Sequence, residues 1–422
     1  MSRALLRRIA VACLSLSLLA AAAPGESTAG QAPAASQAVA ADHRTPSAPP
    51  PPVTARGWRG LGPGHLVETH PAGATSRVAP ARRSVFVRYT TTDRRGRPAL
   101  ASGLVLLPPE RGPRGGAPLV VYGHMTTGAA DACAPTHGVA GSSELRRMQQ
   151  GDTLAAALLE GGAVVARPDY EGLGEKGPHP YLRGRSLARS MRDLASAVSR
   201  HYREVGPEWV AAGHSEGGVA ALHTGARRTT PAAGLDLVGV SAITPVTQVE
   251  VLATLFGDAP VTTVGIDVVV ALAALILKGL TAEDPALRRL LLRQGGLSEE
   301  ARALWPHLER RCLEDLGAED SWGGLAPAEV QGPRGGEALA EMKAALRADD
   351  VRHLRMRRAV PIRIDAGALD LVAPLPLTQQ LADDYRARGY DTTLRTWPAD
   401  HSPTADVAAT DLATWILGRF HA

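Results

Sequence analysis

Short apolar runs, rich in β-branched residues and closed off by glycine, proline or aspartate, recur along the chain from residue 85 onward. Residues 85–91, 101–107, 118–122 and 163–166 have this form, and 209–212, 237–241, 361–364 and 392–396 repeat it, so each predicts a strand. Between them the apolar positions recur with a period near 3.6, which predicts helices over 153–160, 187–205 and 377–388. Strand and helix alternate after an opening hairpin, and runs such as Leu119-Val120-Val121 have no polar face. Together these features predict an α/β fold whose mostly parallel sheet is covered by helices on both faces.

The pattern lapses in two places. Residues 24–60 are rich in Ala, Pro, Ser and Gly and carry too few large apolar side chains to order themselves, so they read as a tether, with folded sequence starting between Leu61 and Ser84. Residues 246–358 are helical in pattern with no clear strand, which predicts a helical cap inserted between two parts of the core, 61–245 and 359–422. Within it, residues 268–277 are apolar all round yet too short to span a bilayer, and are read as a buried or substrate-facing cap helix.

The first 23 residues change the picture of where the chain works. Arg3, Arg7 and Arg8 precede an apolar stretch over 9–19 and small residues at 20–23, the layout of a cleaved signal peptide, so the mature chain is expected outside the cell and without a transmembrane anchor. Cys13 would be discarded with that segment. Cys133 and Cys312 remain, and in an exported protein they suggest one disulfide, the other reading being two buried free thiols.

Composition mainly excludes. A formal net charge of +4 comes almost wholly from scattered arginines, since Lys176, Lys278 and Lys343 are the only lysines, and aromatics make up 4% of the residues. No basic stripe interleaved with stacking rings is present, so nucleic acid is not an expected partner. No metal or organic cofactor is implied, and a monomer is expected.

The candidate chemistry centres on Gly213-His214-Ser215-Glu216-Gly217-Gly218. Gly-x-Ser-x-Gly alone is a weak signal, but here it directly follows the strand at 209–212 and precedes a helix-compatible run from Val219, the setting of a nucleophile elbow. A serine hydroxyl needs a base, and the base needs an orienting carboxylate. In an α/β-hydrolase they follow in the order Ser, acid, His. Asp370, just beyond the strand at 361–364, and His401, just beyond the last strand, meet that order. Asp365 is read as pointing into structure, Asp383 and Asp384 as helical, Asp400 as a turn residue, and His353 and His421 as surface histidines. Acyl transfer also needs donors for the oxyanion. The amide of Glu216 is expected to be one, and the loop Gly123-His124-Met125-Thr126-Thr127-Gly128 to supply the other from Thr126, or failing that Thr127.

Several separate runs resemble the secretory lipase family, exported α/β-hydrolases with fungal and actinobacterial members. They are Gly123-His124-Met125-Thr126-Thr127-Gly128, Asp131-Ala132-Cys133-Ala134-Pro135, Pro168-Asp169-Tyr170-Glu171-Gly172-Leu173-Gly174, His179-Pro180-Tyr181-Leu182 and the serine run itself. The resemblance implies a lipase or esterase acting on acyl-glycerol or related carboxylic esters, with a role in lipid catabolism, a cap over the acyl pocket, and a disulfide between Cys133 and Cys312. The family commonly has His-Gly-Thr-Thr-Gly where this chain carries Met125, whose side chain would narrow the pocket or shift the loop. Asp169 and Tyr170 are read as holding their loop by hydrogen bonds rather than lining the pocket. Two other functions share these residues: an acyltransferase or peptidase on the same triad, and a surface binding protein that has lost activity.

Overall fold

A computed structural model describes residues 57–110, 116–257, 260 and 266–420. The expected signal peptide, and the tether as far as Arg56, lie outside the described residues, as does His421. The end of the expected tether, Trp58–Gly60, forms a 3-10 turn.

Nine strands make one sheet: β1 (Leu66–Pro71), β2 (Arg83–Thr92), β3 (Pro98–Leu107), β4 (Ala117–Gly123), β5 (Val164–Pro168), β6 (Val205–His214), β7 (Asp236–Ile243), β8 (Ile362–Gly367) and β9 (Thr392–Trp397). Their order across the sheet is β1-β2-β3-β5-β4-β6-β7-β8-β9. The first three strands pair antiparallel, β3 meets β5 antiparallel, and β5 through β9 run parallel, so the sheet is mostly parallel as expected.

Among the described residues the helices of eight residues or more are α1 (Asp152–Glu160), α2 (Gly184–His201), α3 (Glu216–Gly225), α4 (Val249–Phe256), α5 (Ile266–Glu283), α6 (Pro285–Arg293), α7 (Gly335–Ala348), α8 (Leu375–Ala387) and α9 (Ala409–Leu417). The strand side chains alternate between two cores. Leu119 and Val121 join Leu187 and Met191 of α2 and Leu381 of α8 on one face, while Val120 and Tyr122 join Leu158 of α1 and Leu412 of α9 on the other. A central strand therefore buries an apolar side chain at every position, each contributing about 1.5–3 kcal/mol for a Val or Leu, and Leu119-Val120-Val121 has no polar face for that reason.

Two expectations are corrected. The helix read over 187–205 ends at His201, and Val205 already belongs to β6, whose bonded register with β4 begins at Ala117↔Val205. The strand β1 was not foreseen. It is an edge strand with a half-exposed to exposed pattern and a register shift between Leu66 and Glu68, so it lacks the continuous apolar run that marks the others.

Between β7 and β8 lie α4 to α7 and shorter turns, with no strand among the described residues. These helices pack their own apolar cluster, including Leu275, Leu291, Trp305, Leu316 and Trp322. The cluster also takes in Tyr181 from the core side of the chain. Among the described residues no helix is long and apolar enough to cross a membrane.

Candidate active site

Ser215 sits at the sharp turn where β6 becomes α3. Its backbone is held at φ 56°, ψ −113°, outside the regions an L-residue prefers, and its N–H donates to the Ile243 carbonyl at 2.8 Å. The turn is this tight because two glycines let backbone meet backbone. A Cβ on Gly213 would lie 2.2 Å from the Gly217 carbonyl oxygen, and one on Gly217 would lie 2.0 Å from the Gly123 carbonyl oxygen. The spacing of the motif thus follows from crossing strand, helix and the end of β4 at one point.

His401 and Asp370 reach Ser215 from the loops after β9 and β8. His401 Nε2 is 2.8 Å from Ser215 Oγ, and His401 Nδ1 is 2.7 Å from Asp370 Oδ2. The other carboxylate oxygen, Oδ1, accepts the N–H groups of Val372 and Ala373 at 2.8 and 2.7 Å. A carboxylate can only accept, so the imidazole proton lies on Nδ1 and leaves Nε2 free to accept the serine proton. All three residues are buried.

The other candidate acids and histidines lie elsewhere. Asp365 is fully buried against Arg363, with hydrogen bonds of 2.8 and 2.9 Å, and accepts from Trp397 Nε1. Asp383 and Asp384 are on α8, Asp400 caps the His401 N–H at 2.6 Å, and His353 is exposed.

Sequence reasoning passed over His214. Its Nε2–H donates to the His401 carbonyl at 3.0 Å, fixing the backbone of the histidine loop from the residue next to the serine. Burial, with the His401 imidazole close by, pushes His214 well below the usual imidazole range, so it stays neutral in this role. A histidine directly before the serine was visible, but nothing in a linear spacing says what its ring reaches.

Glu216 opens α3, so its N–H has no intrahelical partner and stands beside Ser215 at a positive helix terminus. Thr126 and Met125 line the same cavity as Ser215 and His401, and the Thr126 hydroxyl is 2.8 Å from Tyr181 Oη. The Thr127 carbonyl accepts the Leu313 N–H at 2.9 Å. Asp169 accepts from Ser102 Oγ and from both the N–H and hydroxyl of Thr136, and Tyr170 Oη donates to the His124 carbonyl. Neither lines the cavity.

That cavity holds about 200 Å³ and runs from Ser215 under the inserted helices. Leu252 of α4, Ala274 and Leu277 of α5, and Leu339 and Met342 of α7 form its walls. Residues 268–277, apolar all round, are therefore packed on one side and face the cavity on the other. Met125 is buried and lines this cavity along with Thr126, Ser215 and His401.

One seam between the inserted helices and the core is closed by a covalent bond. Cys133 and Cys312 are disulfide-bonded with Cα atoms 5.4 Å apart. Beside them Glu144 Oε2 accepts the Glu314 N–H at 2.8 Å, and Arg147 reaches Glu314. Burial pushes the Glu144 carboxyl up to about 8, with Arg147 and the Glu314 N–H pulling the other way. In the unfolded chain a glutamate ionises near about 4.3. The folded state thus keeps a proton that the unfolded state releases, so this group's stabilisation is complete below about 4.3 and is lost as pH rises through about 8. Melting temperature is expected to fall between pH 5 and 8 more steeply for the native protein than for Glu144→Gln. Parallel curves would contradict it.

Among the described residues no group of three His, Cys, Asp or Glu side chains is arranged to hold a metal ion.

The family model for secretory lipases matches residues 142–422, two thirds of the chain, which leaves Thr126 and Cys133 outside the matched stretch. No curated protein matches the chain in sequence. Among solved structures the chain is similar to lipase A of Candida antarctica in its closed state, at a TM-score of 0.66 and 15% identity, covering 87% of this chain and 88% of that one. It is also similar to the rice cell wall degrading esterase of Xanthomonas oryzae, at 0.62 and 20%, covering 85% and 97%. A hydrolase of Legionella pneumophila described as putative gives 0.65 and 16%, covering 85% and 99%.

Proposed function

The chain belongs to the secretory lipase family and has the α/β-hydrolase fold, and from that premise we propose that it is an exported lipase or esterase that cleaves carboxylic esters through an acyl-enzyme on Ser215. The observation that carries this reading is the unbroken chain Asp370–His401–Ser215, with contacts of 2.7 and 2.8 Å, opening directly onto an apolar cavity.

In the proposed reaction Ser215 Oγ attacks the ester carbonyl while its proton passes to His401 Nε2. Asp370 holds the Nδ1 proton and stabilises the imidazolium that forms. The amides of Glu216 and Thr126 receive the oxyanion. His401 then returns the proton to the departing alcohol, and a water molecule repeats the sequence on the acyl-serine to release the acid. Export is supported by the family and by the disulfide, which persists in oxidising surroundings.

The acyl chain is assigned to the cavity under α4, α5 and α7. Each methylene moved from water into an apolar wall contributes about 0.8 kcal/mol. In a series of nitrophenyl esters, kcat/KM is therefore expected to rise by up to about fourfold per methylene until the cavity is filled, and then to level or fall. A fluorophosphonate should label Ser215 and no other residue. Failure to label folded protein would overturn the reading, and activity confined to acetyl esters would remove the cavity assignment.

A further inference from the structure

The triad leaves two of the sequence runs unused, the one around Asp169-Tyr170-Glu171 and the one around His179-Pro180-Tyr181. The second reaches the side chain of Glu216 through His179, and the first reaches His179 through the Glu171 carbonyl. We propose that His179 and Glu216 form a buried imidazolium–carboxylate pair that positions the oxyanion amides and cancels the negative charge next to the nucleophile. The inference rests on the esterase reading above and adds two positioning residues to it.

Both side chains are about 1% exposed. His179 Nδ1 is 2.9 Å from the Glu171 carbonyl, and Nε2 is 3.1 Å from Glu216 Oε1. A carbonyl oxygen only accepts, so Nδ1 donates to Glu171; with Glu216 as the proposed carboxylate Nε2 donates as well, and the ring then carries two protons. Burial pulls His179 down, but the charge and hydrogen bond of Glu216 more than reverse this and hold it above the usual imidazole range.

Among the described residues no arginine or lysine is ion-paired with Glu216. His124 donates from Nδ1 to the Met125 carbonyl at 2.6 Å, its Nε2 has no hydrogen-bond partner among the described residues, and burial keeps it down. The Glu171 carboxylate is engaged with Ser186 and Arg189, and Asp169 with Ser102 and Thr136. Tyr170 and Tyr181 are fully buried and pushed upward, so both stay neutral. Among the described residues Glu216 Oε2 has no hydrogen-bond partner, which leaves His179 as the group that neutralises the carboxylate.

The pair is mechanically continuous with both oxyanion donors. Glu216 supplies one amide from its own backbone while its side chain is anchored behind. On the other side, the Tyr170 ring packs against that of His124, tilted by 30° with centroids 4.4 Å apart, and its hydroxyl donates to the His124 carbonyl, within the donor loop. Tyr181 lies 6.2 Å from the His179 ring and bonds Thr126. Electrostatics gives the pair its second task. A bare carboxylate one residue from the serine, in low-dielectric surroundings, would repel the charge that develops on the substrate oxygen.

The test is a double-mutant cycle read on kcat, KM and the rate of fluorophosphonate labelling. His179→Gln strands the carboxylate and is expected to lower kcat and labelling about 100-fold with little change in KM, the scale of losing one oxyanion donor. Glu216→Gln can donate its amide to neutral His179 Nε2, so the loss should stay below about tenfold, and the alkaline limb that reports His179 deprotonation should vanish. The double variant should recover most of the His179→Gln loss. Additive losses, or a His179→Gln enzyme within threefold of native, would overturn the pair. Should His179→Gln not fold, the Glu216→Gln pH profile and ring 15N shifts in Ser215→Ala protein still decide. Two protonated nitrogens on His179 near neutral pH support the pair, and a single neutral tautomer overturns it. If native protein labels but turns over no ester, the functional reading falls while the cycle is still read from labelling.

Discussion

Ser215→Ala is expected to lower kcat on a short-chain nitrophenyl ester about 10⁶-fold, His401→Ala to do the same, and the double variant to be no worse. The non-additivity follows from the geometry. With Nε2 2.8 Å from Oγ, base and nucleophile perform one step between them, and removing either removes it. Asp370→Asn is expected to cost about 10⁴-fold, and the reason lies in its second oxygen. Oδ1 accepts two backbone N–H groups, from Val372 and Ala373, so an asparagine there must keep its carbonyl on that side. Its NH₂ would then face His401 Nδ1, drive the imidazole proton to Nε2, and leave no acceptor for the serine proton. Steady-state kinetics on folded variants checks all three. A loss of less than tenfold in Ser215→Ala would remove Ser215 from the reaction, and an Asp370→Asn enzyme near native rate would remove the tautomer argument.

What could be read along the chain, and what could not, divides on range. The buried strands announced themselves because parallel strands covered on both faces need an apolar side chain at every position, as in Leu119-Val120-Val121. β1 did not, because one face of an edge strand meets solvent. The elbow could be located because its glycine spacing is a local rule, Gly213 clearing the backbone of Gly217 within five residues, although Gly217 in turn clears the distant Gly123. Ser215, His401 and Asp370 are brought together by topology, since β6, β8 and β9 are parallel and their ends share one edge. Partners set by side-chain direction were out of reach. Neither His214 on the His401 carbonyl nor His179 on Glu216 leaves a trace in spacing, for each joins residues that only the folded sheet makes neighbours. The cavity was foreseen as a question about residues 268–277, while its other walls, from α4 and α7, depend on packing among helices that periodicity does not orient.

Replacing Cys133 and Cys312 together by alanine is expected to destabilise the protein by about 5 kcal/mol in the chain-entropy account, because the bond closes a loop of 179 residues. For a folded region of this size that corresponds to a fall in melting temperature of roughly 5–10 °C. The consequence should not stop at global stability, because of what the bond holds in place. Cys312 precedes Leu313, whose N–H donates to the Thr127 carbonyl, and Thr127 follows Thr126 in the proposed donor loop. Gly128 also pairs with Cys312 in an isolated antiparallel bridge. The disulfide therefore pins the start of one inserted segment to the loop that faces Ser215. Loosening it should blunt acyl selectivity before the sheet unfolds, since the triad rests on β6, β8 and β9 and does not use this seam. Hydrolysis of medium-chain esters should thus fall with rising temperature ahead of acetyl ester hydrolysis in the variant, while the two fall together in the native protein. Calorimetry and the paired rates measure both effects. A variant that melts with the native enzyme would show that hydrogen bonds such as those of Glu144 and Leu313 hold the seam without the covalent tie.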